Sequence, residues 1–169
     1  ITAERDMYFE LRNHDHQLHV THETIKRYEQ QLQYLLEESQ MYIWYYSIND
    51  NLIKMTRSPG EVIYTQNLNE YVESITEASR TDAVNAIRKV LQQGLSYTTI
   101  LLFDYTPIDP LPTWYSIYGV PIFDKDGKIK EYFGLARDIT NLMKAQEQLR
   151  IETARAEDSG QLQAAFLAH

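Results

Sequence analysis

No proline and no glycine interrupts residues 1–40, and within them Leu11, Leu18, Ile25 and Leu32 recur every seven residues, with Met7, His14, Thr21, Tyr28 and Leu35 in the slots between. Apolar side chains at that spacing lie on one stripe of an α-helix. The stretch 1–40 is therefore expected to be one long helix that pairs with a second copy of the chain, with Leu11, Leu18, Ile25, Leu32 and Leu35 in the seam. His14 and Thr21 would fix register there at some cost in stability. The competing assignment is an amphipathic helix folded back on its own domain. Four basic residues stand against eight acidic ones in this stretch, so its outer face is solvated.

At Tyr42 the period changes. Tyr42 to Ile48 is aromatic and β-branched, Asn49-Asp50-Asn51 signals a turn, and Leu52 to Arg57 returns as a second strand before Ser58-Pro59-Gly60. Residues 67–94 read as short helices: Asn67-Leu68-Asn69-Glu70 opens one, and Ser79 to Asp82 supply caps for a second that ends at Gly94. Three strands in meander order follow, Tyr97–Tyr105, Trp114–Phe123 and Ile129–Ile139, separated by a proline-punctuated loop and by Asp124-Lys125-Asp126-Gly127. From Asn141 the chain is helical again. The expected architecture is α+β: a five-stranded antiparallel sheet over 41–140 with short helices on one face, flanked by helices 1–40 and 141–169.

Composition removes several functions. Sixteen Lys and Arg against 24 Asp and Glu give a net charge of −8, which disfavours nucleic acid and anionic lipid as partners. No apolar run approaches the roughly 20 residues of a membrane span. There is no cysteine, so thiolate nucleophiles, zinc–thiolate sites and cysteine-linked flavin are absent. Between Glu23 and Ala168 there is no histidine, which excludes a His-ligated haem and Ser-His catalysis from the sheet. His14, His16, His19 and His22 crowd one helix without a carboxylate shell and are read as solvated or seam residues, not metal ligands. The Asp124–Gly127 segment has its glycine too early for a calcium loop and is a hairpin turn. Acidic residues of the sheet region fall at turns and strand ends, with no pair placed for acid–base work.

The C-terminal half reads Trp114-Tyr115-Ser116-Ile117-Tyr118-Gly119-Val120-Pro121-Ile122-Phe123-Asp124-Lys125-Asp126-Gly127, then Gly134-Leu135-Ala136-Arg137-Asp138-Ile139-Thr140. In this order the pattern resembles a PAS sensor domain over about residues 41–140: a tryptophan, a Gly-x-Pro-Ile, an Asp-Gly hairpin and an Asp-Ile-Thr before a signalling helix. Trp44 matches the aromatic residue usual in the family's first strand. The resemblance implies structural roles for Trp44, Trp114, Gly119, Pro121, Asp126, Gly127 and Gly134, and a relay role for Asp138, Ile139 and Thr140. Independently of any family, a strand that becomes a helix needs acceptors for the helix's first amide groups, which Thr140 or Asn141 would supply as a cap.

Ala156 to His169 resembles the start of the dimerisation helix of a sensor histidine kinase, with Phe166-Leu167-Ala168 ahead of the phosphoacceptor. His169 falls early for that role and is not assigned it. Ile1-Thr2 repeats the Ile139-Thr140 junction, the expected sign of a preceding PAS domain. Ten of the 13 tyrosines lie in 41–140, where they serve a packed sheet face or a pocket for a small molecule. Tyr46, Tyr115 and Tyr118 are the expected pocket residues, and Arg57 and Arg88 the groups that would meet a carboxylate.

The functional expectation is a cytoplasmic input and relay module of a two-component histidine kinase, not itself an enzyme, with any membrane anchor of the parent protein outside this segment. It would be a homodimer through its flanking helices, coupled to downstream kinase domains, with no evident cofactor, an unidentified small molecule at most, and no direct membrane contact. A ligand-free dimerisation spacer and a small α+β enzyme are the alternatives.

Overall fold

A computed structural model describes residues 2–58 and 60–168; Ile1, Pro59 and His169, and with them the Ile1-Thr2 repeat and the assignment at His169, lie outside the described residues. The chain runs α1 (Thr2–Glu38), β1 (Met41–Ser47), β2 (Leu52–Ser58), β3 (Glu61–Asn67), α2 (Leu68–Ser74), α3 (Glu77–Gln93), β4 (Tyr97–Phe103), β5 (Thr113–Phe123), β6 (Ile129–Asp138) and α4 (Thr140–Ala168). The sheet is antiparallel in the order β3-β2-β1-β6-β5-β4.

Six strands replace the expected five. The addition is β3, Glu61-Val62-Ile63-Tyr64-Thr65-Gln66-Asn67, which pairs with β2 at the sheet edge. An edge strand faces solvent along much of its length, so its polar and apolar residues mix and the alternation that marks a half-buried strand is weak. Two register shifts in the β2–β3 ladder, on either side of Thr56, add to the irregularity. Thr56 is buried, and its hydroxyl donates to the Ile43 carbonyl at 3.0 Å.

The helices between β3 and β4 start where side-chain chemistry allows. Asn67 accepts the Glu70 N–H at 2.8 Å while the Glu70 carboxylate accepts the Asn67 N–H at 3.0 Å, a capping box that begins α2. The start of α3 is Thr76, upstream of the expected Ser79–Asp82 cap; its hydroxyl donates to Asp104 instead of capping the helix. Arg80 wraps back, donating to the carbonyls of Ile75 and Glu73 that the end of α2 leaves open. At its far end α3 stops on Gly94 in the left-handed region, φ 65°.

One row of residues explains the central motif. Tyr64, Met55, Trp44, Gly134, Gly119 and Tyr97 are successive cross-strand partners through all six strands. The indole of Trp44 lies across the sheet, its Nε1 donating to the Leu135 carbonyl at 3.2 Å. It needs flat ground: a Cβ at Gly119 would collide with the indole, and one at Gly134 with the Tyr118 carbonyl. The two glycines are the floor on which the tryptophan rests.

In the β5–β6 turn, Gly127 has φ 78°, and Asp124, not Asp126, accepts the N–H groups of Asp126 and Lys128. Pro121 sits in β5 opposite Tyr132.

The two long helices contrast with this body. Leu36 is the buried residue of α1, and it holds the helix end against β1 and β2. Every residue from Thr2 to Leu35 is exposed, including all seam positions, so the seam does not fold back on its own sheet. At about 1.5 Å per residue, α1 spans on the order of 55 Å. α4 has no buried residue and leaves Leu142, Leu149, Leu162, Phe166 and Leu167 exposed.

Candidate functional site

Behind the sheet, α2 and α3 enclose an apolar cavity of about 80 Å³. Roughly 10–15 Å³ on this measure holds one water, so the space admits several waters or one small organic molecule. The sheet contributes alternate residues of each strand: Trp44 and Tyr46 from β1, Tyr115 and Ile117 from β5, Tyr132 and Ala136 from β6. The helices contribute Leu68, Tyr71, Ile87, Val90 and Leu91, and Thr106 and Pro107 of the β4–β5 loop close the rim.

Two of the six tyrosines around it have an assigned use for their tips. Tyr46 keeps its ring in the wall while its hydroxyl donates to the Asn51 side chain in the β1–β2 turn, 3.1 Å away. Tyr132 lies 2.9 and 3.0 Å from the carbonyls of Val90 and Leu95 and so ties the end of α3 to β6. Phe103 makes edge contacts with Tyr115 and a tilted contact with Tyr71, ring centroids 5.7 and 5.4 Å apart.

The expected pocket residues divide. Tyr46 and Tyr115 line the cavity, but Tyr118 is corrected: it is 49% exposed and stands on the opposite face of β5. Being three residues from Tyr115, it has the other parity in a strand of period two. Arg88 is also corrected, because it faces solvent on α3 while Ala83, Ile87, Val90 and Leu91 form the inward stripe. Arg57 lies on a separate open polar groove with Tyr42, Asp109 and Asp138, donating to the Tyr42 hydroxyl at 3.2 Å with its guanidinium 5.4 Å from that ring's centroid. Neither arginine touches the cavity. Two wall residues that sequence reasoning passed over, Tyr71 and Tyr97, have buried hydroxyls that make no well-formed hydrogen bond.

Tyr115 lines both the cavity and the groove, and its neighbours build the strand-to-helix junction. Asp138 is its cross-strand partner. The Asp138 carboxylate accepts the Thr140 N–H at 2.9 Å, meeting the first unpaired amide of α4. Thr140 does not cap the helix as expected; its hydroxyl turns back and accepts the Trp114 N–H at 3.0 Å. Ile139 donates its N–H to the Trp114 carbonyl at 2.9 Å, and its carbonyl receives Met143. The backbone of Trp114, more than its ring, holds the helix start.

Burial raises the hydroxyl pKa of Tyr46, Tyr64, Tyr71, Tyr97, Tyr115 and Tyr132 above the ordinary value. For Tyr115, nearby Tyr64 and Tyr42 and the carboxylates of Asp138 and Asp109 add to that rise. The sign follows from linkage: above pH about 10 the unfolded chain releases tyrosine protons that the fold retains. Stability is thus unaffected below that pH and falls as pH rises through it. An alkaline titration followed by tyrosinate absorbance should show these six ionising late, together with unfolding; one wave centred near pH 10 for all 13 tyrosines would contradict it.

A family model of the PAS fold matches residues 46–143. The chain belongs to the PAS family. No curated protein matches it in sequence. Among solved structures, a sensory box histidine kinase/response regulator from Burkholderia thailandensis E264 aligns with TM-score 0.56 and 14% identity, covering 75% of this chain and 97% of that one. The N-terminal domain of a diguanylate cyclase with PAS/PAC sensor from Marinobacter aquaeolei aligns with TM-score 0.50 and 11% identity, covering 61% and 98%. At such identities the likeness is one of fold. PAS domains are sensory and not catalytic, and no helix among the described residues is long and apolar enough to cross a membrane.

Proposed function

We propose that this PAS domain is a cytoplasmic sensory input and relay module of a two-component histidine kinase, and that it passes occupancy of its cavity, or strain arriving through α1, to kinase domains through α4. The observation that carries this is the position of Tyr115. It is part of the cavity wall, it follows the residue whose backbone clamps Ile139 and Thr140, and it faces Asp138 across the ladder. A shift of that ring therefore acts on the first turn of α4 without crossing any loop. A ligand favouring one packing about tenfold moves the balance by ~1.4 kcal/mol, enough for a relay. The heptad seam of α1, exposed from end to end, supports a homodimer, and an upstream PAS domain is a natural source of strain on it.

The lack of cysteine makes a direct test simple, because a Gln148→Cys change on exposed α4 creates a unique labelling site. Spin labels there should report an altered inter-subunit distance when Ala136→Val partly fills the cavity. Asp138→Ala, which removes the acceptor at the helix start and costs about 1 kcal/mol, should abolish that change. Identical distance distributions in all three proteins would remove the relay.

A further inference from the structure

Two buried hydroxyls at the cavity lack a well-formed hydrogen bond. Those of Tyr71 on α2 and Tyr97 on β4 are shut off from solvent and make no well-formed hydrogen bond, and among the described residues they are the buried side-chain groups in that state; they come within reach of each other and, for Tyr97, of Thr99. Such a group is costly to bury, and phenylalanine would occupy either place without that cost. Neither the approach of the two hydroxyls to each other nor that of Tyr97 to Thr99 is a well-aligned bond, so one ligand group can meet both tyrosines. Nearby Ser74 offers less, since its hydroxyl is already committed to the Tyr71 carbonyl at 2.6 Å.

The wall is equally informative in what it lacks. No Asp, Glu, Lys, Arg or His lines the cavity; Arg57 and Asp138 belong to the groove on the other side of Tyr115. A charged molecule entering here would shed its hydration without meeting a counter-ion. Resting on the reading of the cavity as an input site, we infer that it takes an uncharged, largely apolar small molecule carrying one hydrogen-bonding group, a carbonyl or amide, that is held by the hydroxyls of Tyr71 and Tyr97. This replaces the carboxylate ligand that Arg57 and Arg88 suggested.

Benzamide, benzoate and benzene separate the contributions, since the first two share a shape and differ in charge, and the third has no polar group. Calorimetric titration of the 169-residue chain should show benzamide binding at least about 100-fold more tightly than benzoate and about tenfold more tightly than benzene. In a Tyr71→Phe, Tyr97→Phe double variant, benzene should bind as before and benzamide should fall to within about twofold of it. The double variant loses only two oxygen atoms, and an unchanged or higher Tm without ligand shows that it is folded. The inference is overturned if benzoate binds as well as benzamide, if benzamide keeps its advantage in the double variant, or if none of the three binds the unaltered chain at millimolar concentration. Failure of the relay is read separately: benzamide binding as expected, with the label distance on α4 unmoved, would leave the ligand class standing and remove the transmission.

Discussion

Replacing Gly134 by alanine is expected to lower the melting temperature by roughly 10 °C, through a loss of about 3 kcal/mol. The reason is geometric. Gly134 sits at the centre of the sheet, paired with Trp44 on one side and Gly119 on the other, and an added Cβ meets the Tyr118 carbonyl and the Gly119 Cα. Backbone in the middle of a six-stranded sheet cannot step aside without breaking ladder hydrogen bonds. Gly119→Ala should cost less, because its obstacle is the Trp44 ring, a side chain that can tilt. Gly60 and Gly127 meet nothing within 4 Å, though their positive φ still disfavours a side chain. Thermal unfolding followed by circular dichroism ranks these variants; a Gly134→Ala protein as stable as the parent would mean that the strands are not so closely apposed.

The second large effect concerns α1. Leu18 and Ile25 are 46% and 48% exposed within one chain, so a Leu18→Asp, Ile25→Asp double variant should leave the sheet domain intact. It should nevertheless raise the dissociation constant of the proposed α1-paired dimer at least about 100-fold, since two apolar seam positions per chain are lost. The helix signal should fall with it, because a helix of mixed propensity packed on nothing is marginal in water. Gln30→Asp, on the outer face of the heptad, is the control and should change neither quantity. Sedimentation velocity decides: an unaltered dimer in the double variant would place subunit contact elsewhere, on the sheet face or α4.

How far the residues alone lead depends on whether neighbours in sequence or in space decide. Elements bounded by local chemistry were legible: the break at Gln40–Tyr42, the turn at Asn49–Asn51, the stop at Gly94 and the hairpin at Asp124–Gly127 all rest on adjacent residues. β3 was not, because an edge strand acquires its meaning from the partner it pairs with. The start of α3 was misplaced for a related reason, as Thr76 spends its hydroxyl on Asp104, 28 residues away. For the site, alternation within β5 could have shown that Tyr115 and Tyr118 face opposite ways, and the stripe of Ala83, Ile87, Val90 and Leu91 could have turned Arg88 outward. Nothing local marks Tyr71 or Tyr97. Their interest lies in two buried hydroxyls brought together without a well-formed bond, which is a property of the assembled cavity.

Met41, the first residue of the sheet, pairs directly with Arg137, one residue from its end. Cross-strand neighbours of this kind are about 5 Å apart. The polypeptide thus arrives and departs through the same doorway, and nearly 100 intervening residues hang from it as a side loop. Deleting such a loop, or splicing in another of the same kind, disturbs the path on either side by little more than one residue's length, so that sensors can be strung in tandem or swapped without re-engineering what they are strung on.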